Sequence, residues 1–287
     1  MDTLYRWSKF VEEDDLVEWE TRFLLEEVSY VLEKPVHRQR WSIAVYTTTE
    51  DEAEELRSRY GGAVGPITRD QWEPAPGSGD GPPLRIRDSL LVSGSEDPAK
   101  LDRLAREHPG RIVLSFPPQL AFGTGGHPTT AGCLRFLADF AKRRGDRPWR
   151  VLDLGCGSGI LAIAAAKLGA TEVTAVENDG MALGYARENG ERHGVGDLVD
   201  FVEGDAIALM AGPASKPYDL IAANLFSDLL EMLFPLFPAH LAAGGELIVS
   251  GFLVTQADSI TRHAAAAGLP LGDALRRGKW MAGRSRS

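Results

Sequence analysis

The stretch Val151-Leu152-Asp153-Leu154-Gly155-Cys156-Gly157-Ser158-Gly159 decides how this chain is read. A short apolar run enters a loop with glycine at every second position. An apolar helical pattern over 160–168 follows. Glycines allow a tight turn and let a ligand approach the backbone closely. The loop falls at the carboxyl end of a strand, where open α/β sheets bind ligands. A dinucleotide fingerprint needs G-x-G-x-x-G/A, and its third small residue would fall on Ile160. Here the pattern is G-x-G-x-G, preceded by Asp153. A pyrophosphate prefers a helix N-terminus free of carboxylate charge. Asp153 is therefore expected to suit a ligand with a cationic amino group, and S-adenosylmethionine is such a ligand. A nucleotide-dependent Rossmann oxidoreductase is the rival reading.

Outward from the loop, strands and helices alternate. Strands are expected at 150–154, 172–176, 198–202, 218–223 and 246–250. Helices are expected at 128–142, 160–168, 180–192, 228–240 and 255–267. Such alternation means a parallel sheet covered on both faces, an α/β doubly wound fold. Two tail strands near 271–275 and 279–283 surround Arg277-Gly278 and read as an antiparallel hairpin. Upstream, 84–92 and 111–116 read as strands and 98–107 as a helix between them. A Pro/Gly-rich stretch, 73–83, reads as a linker. Before it, Leu16, Trp19 and Phe23, then Leu24, Val28 and Leu32, follow helical spacing. Residues 41–46 alternate like a strand, and 50–60 form an acidic helix that Gly61-Gly62 would end. The expected domains are 1–72, small and α+β; 73–119, linker and connector; and 120–287, the α/β domain.

Composition narrows the function. Forty-four per cent of the 287 residues are hydrophobic and 25% charged, so the chain can bury a core. Acidic residues number 41 against 31 basic, a net charge of −10. That balance opposes broad phosphate neutralisation, so no direct nucleic-acid partner is expected. It suits a basic protein partner. No run of eighteen apolar residues and no signal-peptide pattern are present, so a cytoplasmic location without a membrane partner is expected. The two cysteines and six histidines show no metal-ligand spacing, and no metal is expected.

Three carboxyl-edge residues are candidates for ligand binding. Glu177 ends the second strand, about twenty positions past the loop, and suits ribose hydroxyls. Asp205 follows the third strand and suits the adenine amine, or simply caps a helix. Asn224 ends the fourth strand and offers both a donor and an acceptor. A second loop, Ala121-Phe122-Gly123-Thr124-Gly125-Gly126-His127-Pro128-Thr129-Thr130, can wrap a ligand. Its lone His127 is more readily structural than catalytic.

These two loops together resemble the PrmA family, bacterial methyltransferases of the large-subunit ribosomal protein L-eleven (L11). The resemblance rests on Leu120 through Thr130 and on Asp153 through Ala165. Ala223-Asn224-Leu225, Leu247 through Gly251, Gln256-Ala257 and Lys279-Trp280 fit as well. It implies a class I S-adenosylmethionine-dependent methyltransferase with a ferredoxin-like N-terminal domain that recognises the protein substrate. The implied reaction methylates lysine side chains, and the N-terminal amine, of L11. A different protein or a small molecule is the alternative acceptor. The resemblance implies cofactor binding by Thr130, Gly155, Glu177 and Asn224; the reading of the loop and strand ends adds Gly157 and Asp205, and Phe122 and Asn224 are expected to wall the reacting methyl. A monomer is expected. The departures lie before the connector, where only Asp70-Gln71-Trp72-Glu73 is reminiscent of the family pattern.

Overall fold

The computed structural model describes residues 3–12, 15–26, 28, 30–33, 40–68, 81–119, 121–123, 126–214 and 216–286. Most of the expected linker, 73–80, and the Asp70-Gln71-Trp72-Glu73 segment lie outside them, as do Leu120, Thr124 and Gly125. The chain forms two units, Met1–Ala75 and Pro76–Ser287.

In the first unit, β1 (Thr3–Val11), β2 (Val31–Glu33), β3 (Trp41–Thr47) and β4 (Ala63–Thr68) form one antiparallel sheet. Its order is β2-β3-β1-β4. Helix α1 (Leu16–Leu25) follows β1, and α2 (Glu50–Tyr60) follows β3. Trp7, Phe23, Ile43 and Ala53 are fully buried in its core. Trp19 and Tyr60 close that core, their rings 5.7 Å apart at the centroids. Helix α2 starts with a capping box of Thr49 and Glu52, which satisfies orphan backbone N–H groups. Gly61, at φ 69°, ends it as expected. The helical spacing read through Leu32 does not continue. The helix stops at Leu25, Val28 N–H turns back to the Phe23 carbonyl at 2.9 Å, and the chain enters β2.

The second unit opens with β5 (Leu84–Ile86), β6 (Leu90–Ser93), α3 (Pro98–Glu107) and β7 (Ile112–Ser115). The single strand expected over 84–92 is a hairpin instead. It turns at Arg87, whose φ is 49°. Arg111 holds that turn, donating to the Arg87 carbonyl and pairing with Asp88.

Seven strands then build the main sheet. They are β8 (Arg150–Leu154), β9 (Glu172–Glu177), β10 (Val199–Glu203), β11 (Tyr218–Asn224), β12 (Leu241–Leu253), β13 (Leu271–Arg277) and β14 (Trp280–Arg286). Their order is β10-β9-β8-β11-β12-β14-β13. The first five are parallel, and β14 runs antiparallel to both neighbours, β12 and β13. The intervening helices are α4 (Pro128–Arg144), α5 (Ile160–Lys167), α6 (Gly180–Arg192), α7 (Ala206–Ala211), α8 (Ser227–Leu233), α9 (Phe237–His240) and α10 (Ala257–Ala266). Residues 228–240 were expected as one helix. Pro235 and Pro238 withhold N–H donors there, and the chain makes a turn between α8 and α9.

Successive strand residues face opposite cores. Val151, Leu220, Ala222 and Ile248 join α4, α5, α6 and the β5–β7 sheet. Leu152, Leu154, Ile221, Ala223, Leu247 and Val249 join α7 to α10. Burial on both faces is why these strands read as unbroken apolar runs. The tail hairpin is fastened by Arg284, which pairs with Asp273 and lies 5.2 Å over the Phe136 ring. That clamp fixes β14, and so Trp280, beside the carboxyl edge of the sheet. The strand order reverses between β8 and β11, and a crevice opens outside the strand ends at such a point.

Candidate active site

The glycine loop occupies the mouth of that crevice. Gly155, Gly157 and Gly159 all have positive φ, at 67°, 54° and 78°, a region that favours glycine. A Cβ at Gly157 would stand 2.5 Å from the Phe122 carbonyl oxygen, and one at Gly155 would stand 2.4 Å from Leu225 Cδ2. Gly155 and Cys156 donate their N–H groups to the Val176 carbonyl at 2.9 and 3.0 Å. Ser158 N–H donates to the Phe122 carbonyl at 2.9 Å, and Ser158 Oγ donates to the Gly123 carbonyl at 2.8 Å. The Phe122 segment is therefore fastened over the loop.

Acceptors stand at the next two strand ends. Glu177 Oε2 accepts from Gly157 N–H at 2.8 Å. Its Oε1 accepts from the N–H groups of Asn178 and Asp179 at 3.0 and 3.1 Å. Backbone donors thus aim the carboxylate, and it keeps lone pairs for further donors. Asp205 caps α7, its Oδ1 accepting from Ala208 N–H at 2.7 Å. The cap reading weighed from the sequence is met, and the residue also lines the cavity.

A cavity of about 370 Å³ lies between these groups. That is within the range of about 300–1,000 Å³ usual for small-molecule sites. Phe122, Gly155, Gly157, Glu177, Asp205 and Asn224 all line it. Thr130 does not. It is 1% exposed in the first turn of α4 and touches the site through Asn224, whose Nδ2 lies 3.5 Å from Thr130 Oγ1. Thr129 lines the wall in its place. Asn224 Oδ1 is buried and has no partner among the described residues.

The expectation for Asp153 is corrected. Its carboxylate is buried beneath the loop, where Oδ2 accepts from Ala162 N–H at 3.0 Å, and it does not line the cavity. Strand alternation turns it toward the α5 side, away from the crevice. Burial pushes its pKa up to about 7, Ala162 N–H pulls the value down, and the Glu177 charge adds to the rise. The thiols of Cys133 and Cys156 are buried too, and burial raises both.

Phe226 and Leu229 escaped the sequence reading, while Gly251, Trp280 and His127 were quoted there without a binding role. Phe226 follows the strand end and is 79% exposed. Leu229 lies one helical turn further on. Gly251 lines the floor at φ 98°, where a Cβ would meet the Leu225 carbonyl oxygen at 2.2 Å. Trp280 arrives from the tail because β14 pairs with β12. His127 stands between two aromatics, 5.2 Å from Phe122 and 5.0 Å from Trp280 at the ring centroids. The Pro-Thr-Thr string was the available signal for His127; Phe226 carried none.

No group of three His, Cys, Asp or Glu among the described residues could hold a metal. No helix among them is long and apolar enough to cross a membrane. S-adenosylmethionine fits what is present. The loop excludes Cβ atoms where a ligand must come close, and the acceptors stand at successive strand ends. The orphaned Asn224 Oδ1 awaits a donor such as an ammonium.

The strand order, the antiparallel β14 and this crevice define a class I S-adenosylmethionine-dependent methyltransferase fold. Comparison with known proteins narrows the class. The family model for ribosomal protein L11 methyltransferase (PrmA) matches residues 29–286. The ribosomal protein L11 methyltransferase of Brucella suis (strain ATCC 23445 / NCTC 10510) is 35% identical over 251 residues, covering 85% of this chain and 84% of that one. The protein of that name from Dechloromonas aromatica (strain RCB) is 43% identical over 180 residues, covering 62% and 54%. The crystal structure of ribosomal protein L11 methylase from Lactobacillus delbrueckii subsp. bulgaricus aligns with a TM-score of 0.57 at 29% identity, covering 72% of this chain and 100% of that one. The chain belongs to the ribosomal protein L11 methyltransferase (PrmA) family.

Proposed function

We propose that this protein methylates lysine side chains, and the N-terminal amine, of ribosomal protein L11. One observation carries the reading beyond family membership. The cavity has a backbone-oriented carboxylate and glycine loop on one wall and aromatic residues on the other. S-adenosylmethionine, when bound, supplies an electrophilic methyl on a sulfonium. Glu177 accepts from ribose hydroxyls, and Asp205, beyond its cap, accepts from the adenine amine. Gly155 and Gly157 admit the cofactor close to the backbone. Thr130 steadies the Asn224 amide, leaving Oδ1 to an ammonium or to the incoming amine. Phe122 and Asn224 wall the reacting methyl, and an aromatic face tolerates a methyl-bearing cation.

A free lysine amine has a pKa of about 10.4, and only its neutral form is a nucleophile. Entry into an apolar cavity penalises the charged form and favours the neutral one. Holding the two reactants together supplies much of the acceleration. The first unit, with its four-stranded antiparallel sheet in the order β2-β3-β1-β4, is a ferredoxin-like module that selects the protein substrate. Residues 73–119 link and connect it to the catalytic domain, 120–287, with β5–β7 of that connector packed into the second unit's core. The enzyme works as a cytoplasmic monomer.

The test is the intact mass of purified L11 from the same source after incubation with this protein and S-adenosylmethionine. Gain in whole-methyl increments is expected, and peptide mapping places the methyls on amines. An unchanged mass alongside intact cofactor binding would overturn L11 as the acceptor.

A further inference from the structure

We infer that Asn189 is a positioning residue for methyl transfer: from outside the cavity, its amide holds the covering loop, and with it Phe122, against the glycine loop. The inference rests on the methyl-transfer reading above. It begins with where α6 lies. A Cβ at Gly159 would stand 3.1 Å from Ala186 Cβ, so the helix abuts the glycine loop from behind. Asn189, about one turn further along α6, is 0% exposed and does not line the cavity. Its Nδ2 donates to the Ser158 carbonyl at 2.9 Å and to Gln119 Oε1 at 3.1 Å. Its Oδ1 accepts from Arg192 Nη1 at 3.0 Å and from Gln119 Nε2 at 3.3 Å. Both donors and both lone pairs are therefore engaged, and the amide has one orientation.

The same helix end grips the chain upstream of the covering loop. The His193 ring accepts the Ser115 N–H on Nε2 at 3.0 Å, and its Nδ1 lies 2.7 Å from the Asn189 carbonyl oxygen. A carbonyl can only accept and a backbone N–H can only donate, so Nδ1 carries the proton. Phe116 stacks on the ring at 5.0 Å between centroids. Pro117 and Pro118 then restrict the backbone as far as Gln119. The reciprocal Gln119–Asn189 amide pair sets where the covering loop begins. Ser158 sets where it crosses, through its N–H to the Phe122 carbonyl and its Oγ to the Gly123 carbonyl. Asn189 holds both Gln119 and Ser158 from one buried point.

The effect falls on the reacting end of the cavity. Gly155 and Cys156 are pinned to the Val176 carbonyl, and Glu177 is aimed by the N–H groups of Gly157, Asn178 and Asp179. None of those bonds passes through Asn189, whereas the hold on Phe122 does. Removing the amide leaves the Ser158 carbonyl and the Gln119 amide without their partner, which costs more than one exchanged hydrogen bond. The covering loop then loses its fixed start. A reacting centre displaced by about 1 Å can lose roughly 10²-fold in rate. Cofactor affinity, made on the Glu177 wall, is spared.

Two substitutions separate this role from plain support of the fold. Asn189→Ala removes the whole junction, and Gln119→Ala, at a partly exposed position, removes only the loop's side of it. With L11 as acceptor, kcat should fall roughly ten- to a hundredfold in Asn189→Ala and less in Gln119→Ala. Affinity for S-adenosylhomocysteine, read by calorimetry, should stay within about threefold of wild type in both. The double variant should lose about as much kcat as Asn189→Ala alone, because the two residues act through one pair. In the substrate-free protein, NMR should show the Ser158 amide hydrogen exchanging at least roughly tenfold faster in Asn189→Ala. That readout needs no acceptor, so it stands apart from the question of whether L11 is the substrate. Wild-type kcat in Asn189→Ala, unchanged exchange at Ser158, losses that multiply in the double variant, or cofactor affinity falling as far as kcat would each overturn the inference. If Asn189→Ala does not fold, Gln119→Ala decides by the same split of kcat against affinity.

Discussion

The two walls of the cavity are built on opposite plans. On the β8–β10 side, groups are bonded in advance: Glu177 takes three backbone N–H groups, Asp205 takes one, and the glycine loop is pinned to Val176. On the β11–β14 side, groups are left open. Phe226 is 79% exposed, Phe122, reaching over from the covering loop, is 56% exposed, and Asn224 Oδ1 has no partner among the described residues. A wall with its hydrogen bonds already made binds a small ligand with little reorganisation. A wall of open aromatic surface gains most when a larger partner covers it. On the proposed reading, the first wall takes the cofactor and the second the methyl acceptor.

The largest expected effect tests what the rigid wall costs the fold. Asp153 lies beneath it with a pKa raised from 3.8 to about 7, chiefly by burial. Below pH 4 folded and unfolded chains are both protonated at this site. Between pH 4 and 7 the folded protein holds a proton that the unfolded chain has lost. Stability therefore falls as pH rises through that window, by at most about 4 kcal/mol, and levels off above it. Asp153→Asn keeps an acceptor for Ala162 N–H and removes the titration. Urea denaturation from pH 4 to 8 should show a shallower fall for the variant. An identical slope in both proteins would mean that Asp153 does not hold its proton in the fold.

Next comes the loop itself. Gly157→Ala places a Cβ against the Phe122 carbonyl and forces an L side chain to φ 54°. The backbone term alone is about 1–2 kcal/mol, and the contact adds to it. Affinity for S-adenosylhomocysteine, read by calorimetry, should fall at least about tenfold. Undiminished binding would show that the pinned loop is not what the cofactor uses.

The central sheet and its loop were legible because their constraints are strong and local. A strand buried on both faces must be apolar throughout, and a backbone at positive φ calls for glycine. Helix α2 and its cap were legible for similar reasons. Asp153 was misread because its place beside the loop suggested contact, whereas alternation along β8 sends it under α5. Strand β1 was not read at all. Lys9 interrupts its apolar face, and its ammonium reaches the Tyr60 carbonyl while lying 5.0 Å over the Trp19 ring. Such a lysine packs its stem and satisfies its charge at once, which hydropathy does not register. Trp280 and Phe226 join the site through strand order and a helix start, and neither leaves a periodic trace.

The most direct test of the division is one calorimetric series with S-adenosylhomocysteine, paired with steady-state kinetics on L11. Glu177→Ala removes charge-assisted hydrogen bonds of about 1.5–3 kcal/mol, so cofactor affinity should fall roughly tenfold or more. Phe226→Ala should leave that affinity within about twofold and raise KM for L11 roughly tenfold, the loss of about 1–2 kcal/mol of apolar contact. Phe226→Ala weakening the cofactor as much as Glu177→Ala, with KM for L11 unchanged, would contradict the assignment of the two walls.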